Sequence, residues 1–245
     1  CRHTLISRYR VDAAKIRVVV HGVPDVARLD RSSVKRRYGL EGAAVLATFG
    51  LLSPGKGIET IVEAMPRIVE RHPNALYILW GETHPEVVRQ QGERYRDRLL
   101  ARAREIGVGD QVRFVNRYLP DDEVVHALLA TDVYVSPSLD PNQAVSGTLS
   151  YAVAAGRAVI ATPSRYAREL LSDGRGILVP FQDSRALAGA VDCVLGDDDV
   201  RSSLQAAAYR HGRNMLWPKV AAAFREALID ASAATSPRAA DRRGA

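Results

Sequence analysis

From Ile16 to Leu228 the sequence switches repeatedly between short apolar, often β-branched runs and longer stretches with apolar residues at helical spacing. No other feature limits the fold as strongly, because a period of two and a period of 3.6 demand different backbones. Runs at 16–20, 45–49, 75–80, 112–115, 133–136, 158–161 and 177–179 predict strands. The segments between them, 32–38, 57–71, 85–106, 121–130, 146–155 and 165–171, predict helices, and three more at 184–195, 199–212 and 217–228 follow the last strand. In 57–71 the set Ile58, Ile61, Val62, Met65, Ile68 and Val69 falls on one face. Gly81, Gly107 and Gly156 each stand where an element must stop.

The strands show little apolar–polar alternation, so both faces of their sheet are expected to be buried, as in parallel sheets. Right-handed crossovers then give an α/β fold: a doubly wound, Rossmann-like parallel sheet with helices on both faces. A closed barrel would need eight regular units over about 250 residues, which the chain cannot supply. With 245 residues, 47% of them hydrophobic, one domain of about 200 residues is the natural unit. It is placed at 16–230, after a linker or helix remnant at 1–15. At 231–245, Ala, Ser, Pro and Arg dominate and disorder is expected. The opening at Cys1, inside a helical pattern, suggests a piece of a longer protein.

Cys1 and Cys193 are the only cysteines, so no disulfide framework is implied and a reducing cytoplasm suits the chain. No apolar run approaches the roughly 18 residues of a membrane span, and no signal-peptide core is present. The net charge of +6 and pI near 9.5 raise the question of nucleic acid. The arginines do not form a stripe, however. Arg94, Arg96, Arg98, Arg102 and Arg104 are interleaved with Glu93, Asp97 and Glu105, and aromatics for base stacking make up only 6%. A solvated, arginine-rich surface explains them better than a nucleic-acid partner.

Ligands of open parallel sheets bind beyond the carboxyl ends of the strands, and three loops there stand out. The first, 50–57, contains Gly50, Ser53, Lys56 and Gly57 and runs into a helix. Glycines admit a close backbone approach, a helix start favours an anion, and Lys56 adds a full charge. It is not a P-loop, and its plainer reading is an ordinary turn with an exposed lysine. The second, 137–148, includes Asp140 and Gln143 and ends in Ser146, Gly147 and Thr148, whose amides and hydroxyls can face a phosphate; Ser146 can equally be only a helix cap. The third, 116–120, offers Tyr118 and Leu119 to a flat ring or serves as a plain turn. His84, after the 75–80 strand, is a candidate sugar contact or a surface residue at a helix entry. The six histidines show no metal-ligand spacing.

In this order the segments resemble the C-terminal domain of family 4 glycosyltransferases, the second half of a GT-B fold. The marks are His21-Gly22-Val23, then Gly50 with Ser53-Pro54-Gly55-Lys56-Gly57, and Asp132 through Ser138. Gly156 through Thr162 and Gly174 through Pro180 complete the set. The resemblance covers about 16–228, and the chain also looks like a bacterial branch with Gly-Leu-Leu-Ser-Pro and Ser-Gly-Thr-Leu segments, a branch of polysaccharide-type transferases. It implies retaining transfer of a hexose from a UDP-, GDP- or ADP-linked donor to a glycan or lipid-linked acceptor. Lys56 and helix-end amides would stabilise the departing diphosphate, without cofactor or metal.

The resemblance places donor contacts at Gly50, Ser53, Gly57, Tyr118, Leu119, Gln143, Ser146, Gly147, Thr148 and Tyr151, with His84 and Asp140 toward the sugar. Three of the family's usual side chains differ: Leu51 stands for an arginine, and Gln143 and Tyr151 stand for two glutamates eight positions apart. It further implies a first Rossmann-like half carrying the acceptor site, and a cytoplasmic location, with the inner membrane face as a possible station. A non-catalytic nucleotide- or nucleotide-sugar-binding module is the competing expectation. A GT-B epimerase or phosphorylase is weaker, since no cofactor-lysine motif or paired-histidine segment is recognisable.

Overall fold

The structure, a computed structural model, describes residues 2–26 and 30–235. Among these residues six strands, β1 (Ala44–Phe49), β2 (Ala75–Trp80), β3 (Val112–Val115), β4 (Val133–Ser136), β5 (Ala158–Ala161) and β6 (Ile177–Leu178), form one sheet. Every pairing is parallel and the order is β3-β2-β1-β4-β5-β6. The chain therefore winds outward from β1 to β3, returns to β4 beside β1, and winds out the other way. The switch point lies between β1 and β4, where such sheets open a crevice at their carboxyl ends.

Successive residues of the central strands alternate between two cores, which is why the sequence shows no polar period. Val45, Ala47, Leu76, Ile78 and Trp80 enter one core with α6 (Asp121–Ala130) and α7 (Gly147–Ala154). Leu46, Tyr77 and Leu79 enter the other. That side is covered by α3 (Ile58–Arg71), α5 (Arg94–Glu105) and α9 (Ser184–Gly196), through Ile61, Met65, Leu99 and Val191 among others. Fully burying one such aliphatic side chain stabilises the fold by about 1.5–3 kcal/mol.

The remaining helices are α1 (Arg2–Tyr9), α2 (Arg31–Arg37), α4 (Pro85–Gln91), α8 (Arg165–Leu170), α10 (Asp198–Gly212) and α11 (Trp217–Thr235). Asp30, Ser146, Ser164, Asp183 and Asp197 cap helix starts through their side-chain oxygens, satisfying amides that have no partner inside the helix.

Four expectations differ from what is found. Residues 16–20 form no strand: the run joins no ladder, and the first bridge is a single one between Val23 and Leu216. Its valines carry strand propensity, yet β3 and β6 hold the sheet's edges and Val18 and Val20 stay exposed. The 85–106 helix is two helices, broken at Gly92, which takes φ 63, ψ −142 and donates its N–H to Val88 O. The helix after the first loop starts at Ile58 with Gly57 left-handed at its cap, so Lys56 belongs to a one-turn 3-10 helix (Pro54–Lys56) just before it. Finally, α11 continues to Thr235, into the stretch expected to be a tail; residues 236–245 lie outside the described residues.

Candidate functional site

The loops after β1 and β4 meet at the switch point because glycine lets them. A Cβ on Gly57 would stand 2.2 Å from Pro137 O, and one on Gly81 2.4 Å from Gly50 O. Leu139 N donates to Gly55 O at 2.9 Å, and Leu52 is tied to the loop after β2 through Glu82 O and His84 N. Below the junction Thr48 Oγ1 donates to Val135 O at 2.6 Å, crossing from β1 to β4 inside the sheet.

Three groups then converge. Gly50, at φ 104, lies between Lys56 and Thr148: a Cβ there would sit 3.4 Å from Lys56 Nζ and 3.1 Å from Thr148 Cγ2. Gly147 and Thr148 open α7, whose first amides point out of the helix without intrahelical acceptors. Lys56 is half-buried rather than exposed. Burial holds its ammonium below the ordinary lysine range, and no carboxylate offsets that. Beneath Thr148 lies fully buried Tyr134, whose phenol is pushed up to about 12 by burial, with the Thr148 hydroxyl and the Phe49 backbone in hydrogen-bonding range. A desolvated cation without an anion, beside free helix-end amides, is an arrangement waiting for a negative ligand.

The other expected residues fall around this centre in different roles. Ser146 Oγ caps α7 by accepting from Leu149 N, so its side chain follows the plainer reading. Tyr151, one turn into α7, is half-buried and packs against Phe49 and His21 at ring centroids 6.2 and 6.1 Å apart. Burial raises its phenol, with Asp121 and Tyr118 adding to the effect, which brings the loop after β3 to the same corner. Gln143 is half-buried, and its carbonyl accepts from Tyr166 N. Asp140 is exposed and holds its own turn through Asn142 N at 2.9 Å. His84 caps α4, its Nδ1 accepting from Glu86 N at 3.1 Å, and is exposed. Tyr118 is 69% exposed, whereas Leu119 is buried in the core, so only its backbone is free to meet a ligand. Ser53 is half-buried and makes no side-chain cap.

Two residues near the crevice were not singled out as site residues by the sequence. Arg96, counted there among solvated arginines, is only 4% exposed. Its guanidinium donates to Gly81 O and Thr83 Oγ1, both at 3.1 Å, and to Glu93 Oε2, gathering the loop after β2. The stripe Tyr95, Leu99, Ala103 marks the inward face of α5, and Arg96 borders it. His21, quoted only as part of the domain-opening mark, stands beside Gly147. Among the described residues no group of three or more His, Cys, Asp or Glu gathers as metal ligands, and no helix is long and apolar enough to cross a membrane.

A doubly wound parallel sheet whose loops open a crevice at the switch point defines a Rossmann-like domain. The chain belongs to the glycosyl transferases group 1 family, whose model matches residues 30–211. It is 28% identical to phosphatidyl-myo-inositol mannosyltransferase of Mycolicibacterium smegmatis over 81% of this chain and 48% of that protein. It is 29% identical to D-inositol 3-phosphate glycosyltransferase of Corynebacterium efficiens over 97% of this chain and 57% of that protein. The chain thus spans about half the length of these curated relatives. Its fold matches that of GT-B glycosyltransferases. Anabaena Alr3699/HepE, solved in complex with UDP, aligns over 95% of this chain and 61% of its own with a TM-score of 0.80 at 19% identity. Sucrose-phosphate synthase of Thermosynechococcus elongatus aligns over 96% and 57%, with a TM-score of 0.77 at 24% identity.

Proposed function

We propose that this chain is the donor-binding half of a retaining hexosyltransferase, holding a nucleoside diphosphate sugar by its diphosphate. One observation carries the reading: the unpaired, half-buried Lys56 ammonium and the open amides of Gly147 and Thr148 share the switch point. A phosphate seated there meets a full charge and a helix dipole, which stabilise the charge that develops as the diphosphate departs. That charge is met by protein donors, with no cofactor or metal assigned. The mannosyl- and inositol-phosphate-directed names of the relatives, and the UDP and glucose held by HepE, support a nucleotide-sugar donor. A glycan or lipid-linked acceptor would be supplied by a second Rossmann-like half, on the cytoplasmic side of a membrane or free of it.

A second reading, a nucleotide-binding module without turnover, is favoured by Leu51, Gln143 and Tyr151. At these places an uncharged side chain stands where the resemblance implies an arginine and two glutamates. Calorimetric titration with UDP, GDP and ADP, beside hydrolysis and transfer assays with the matching sugars, separates the readings. Binding of at least one diphosphate, with transfer gained only when a first half is added, is expected of the transferase. Binding with no turnover under any pairing identifies the module. Failure of all three nucleotides to bind overturns both.

A further inference from the structure

His21 sits where the segment that enters the domain crosses the start of α7. Its place is locked. Val23 N donates to Met215 O and Trp217 N to Val23 O, while the Trp217 ring covers Gly22 so closely that a Cβ there would be 2.1 Å from it. The His21 ring meets Tyr151 edge-on at 6.1 Å and Trp217 at 6.3 Å. Gly147 has no positive φ, so its lack of a side chain is not explained by backbone conformation. The space it leaves is occupied by His21: a Cβ on Gly147 would come 3.1 Å from Nε2 and 3.4 Å from Cε1.

The other ring nitrogen fixes the chemistry. Nδ1 is buried and has no hydrogen-bond partner. A buried N–H with no acceptor costs more than an unused lone pair, so the neutral ring carries its proton on Nε2, the atom beside Gly147. On the neighbouring residue, the Thr148 methyl lies beside Gly50, as does Lys56 Nζ. The first two residues of α7 therefore have an imidazole beside the first and an ammonium near the second.

We infer that His21 donates a hydrogen bond from Nε2 to the phosphate bound at the start of α7, making it a second side-chain ligand of the diphosphate alongside Lys56. The inference rests on the proposed diphosphate site and adds a second side chain to it. A cavity of about 600 Å³ is lined in part by His21, Val20, Val145, Arg165 and Tyr166, so the ring borders open space.

The test is binding to the whole chain of UDP, GDP, ADP and inorganic pyrophosphate, with the free nucleosides as controls. His21→Phe keeps the ring packing and removes the donor. It should weaken pyrophosphate and the diphosphates about three- to tenfold, leave nucleoside binding unmoved, and melt as the parent does. His21→Gln, which returns an amide N–H near the same place, should recover part of the loss. Gly147→Ala, which pushes the ring away, should reproduce it. Should His21→Phe prove unstable, the Nε2–H signal of the unmutated protein provides the readout: on addition of pyrophosphate it should shift and exchange more slowly. Diphosphate affinity in His21→Phe equal to the parent's, or an Nε2 signal indifferent to pyrophosphate, would overturn this role and leave the donor site standing. A parent protein that binds none of the four ligands would overturn the site itself and His21 with it.

Discussion

At the amino ends of the strands, Asp132 accepts from Lys35 Nζ at 2.6 Å, from Arg31 Nη2 at 2.8 Å and from Val45 N at 2.8 Å. Arg31 and Arg157 then satisfy the carbonyls that end α6 and precede β5, at Leu129, Thr131 and Ala155. At the carboxyl ends of the same sheet, Lys56 is half-buried with no carboxylate, the first amides of α7 are open, and a His21 nitrogen lies buried and unpartnered. The cations of the first edge, buried Arg157 included, all have hydrogen-bond acceptors, whereas the second edge is left unfinished. Since a domain can pair its buried charges when only stability is at stake, the unpaired edge reads as the place where pairing is completed by something that comes and goes.

The contrast breaks first, if it is wrong, at Asp132. Burial alone would raise its carboxyl, but Lys35, the Val45 amide and Arg31 together hold it below the usual carboxylate range. Asp132→Asn strips a mostly buried centre of its charge and should cost about 3 kcal/mol in urea unfolding, while diphosphate affinity of the folded fraction stays unchanged. Because the folded pKa is the lower one, this stabilisation is present above the unfolded carboxylate pKa and lost as pH falls through the folded one. The gap between parent and variant should therefore close in acid. A gap constant from neutral to acid pH would show that the network stabilises by packing rather than charge.

Gly57→Ala sharpens the comparison from the other edge. The position has φ 63, and a Cβ would meet Pro137 O at 2.2 Å. A loss of about 2–3 kcal/mol is expected, together with a fall in diphosphate affinity because the two loops must part. Stability lost with affinity intact would detach the loop junction from the site.

The smallest stability change is expected at Lys56. Lys56→Ala should weaken UDP, GDP or ADP about tenfold to a hundredfold, the value of a charge-assisted contact of ~1.5–3 kcal/mol. Its unfolding free energy should equal or slightly exceed the parent's, since a desolvated cation is removed. The folded ammonium has the depressed pKa, so the parent's handicap is full at neutral pH and is relieved as pH rises through that value toward the unfolded one. Unfolding of both variants from neutral to alkaline pH measures it. Unchanged diphosphate affinity would return Lys56 to the standing of an ordinary surface charge.

The sheet was legible in the sequence because burial on both faces leaves a local record: Ala75–Trp80 is apolar throughout and cannot be much else. What failed was whatever depends on distant partners. Residues 16–20 have the composition of a strand, but no edge of the sheet is left for them. Gly92 is one glycine in a charged helical pattern, a cost of about 1 kcal/mol that a helix can tolerate, and only the tertiary fit of Arg96 under the loop after β2 shows why the chain bends there. The strand-end loops were identifiable from glycine and small residues. The cap role of Ser146 was also readable, being local, but Leu119 as core and Gly147 as room for an imidazole were not, because distant segments decide them, His21 in the case of Gly147.

The joining of the loops after β1 and β4 reaches further into the molecule than the site. The loop after β4 is held to the next strand and helix as well, through Thr162 Oγ1 to Ser138 O, Arg165 N to Pro141 O and Tyr166 N to Gln143 O. Segments as far apart along the chain as Gly55 and Leu139 thus inherit one another's mutations. A change of donor preference grafted onto either loop alone would arrive in a frame cut for the original partner, so natural drift and laboratory redesign alike must carry both loops together as a single heritable unit.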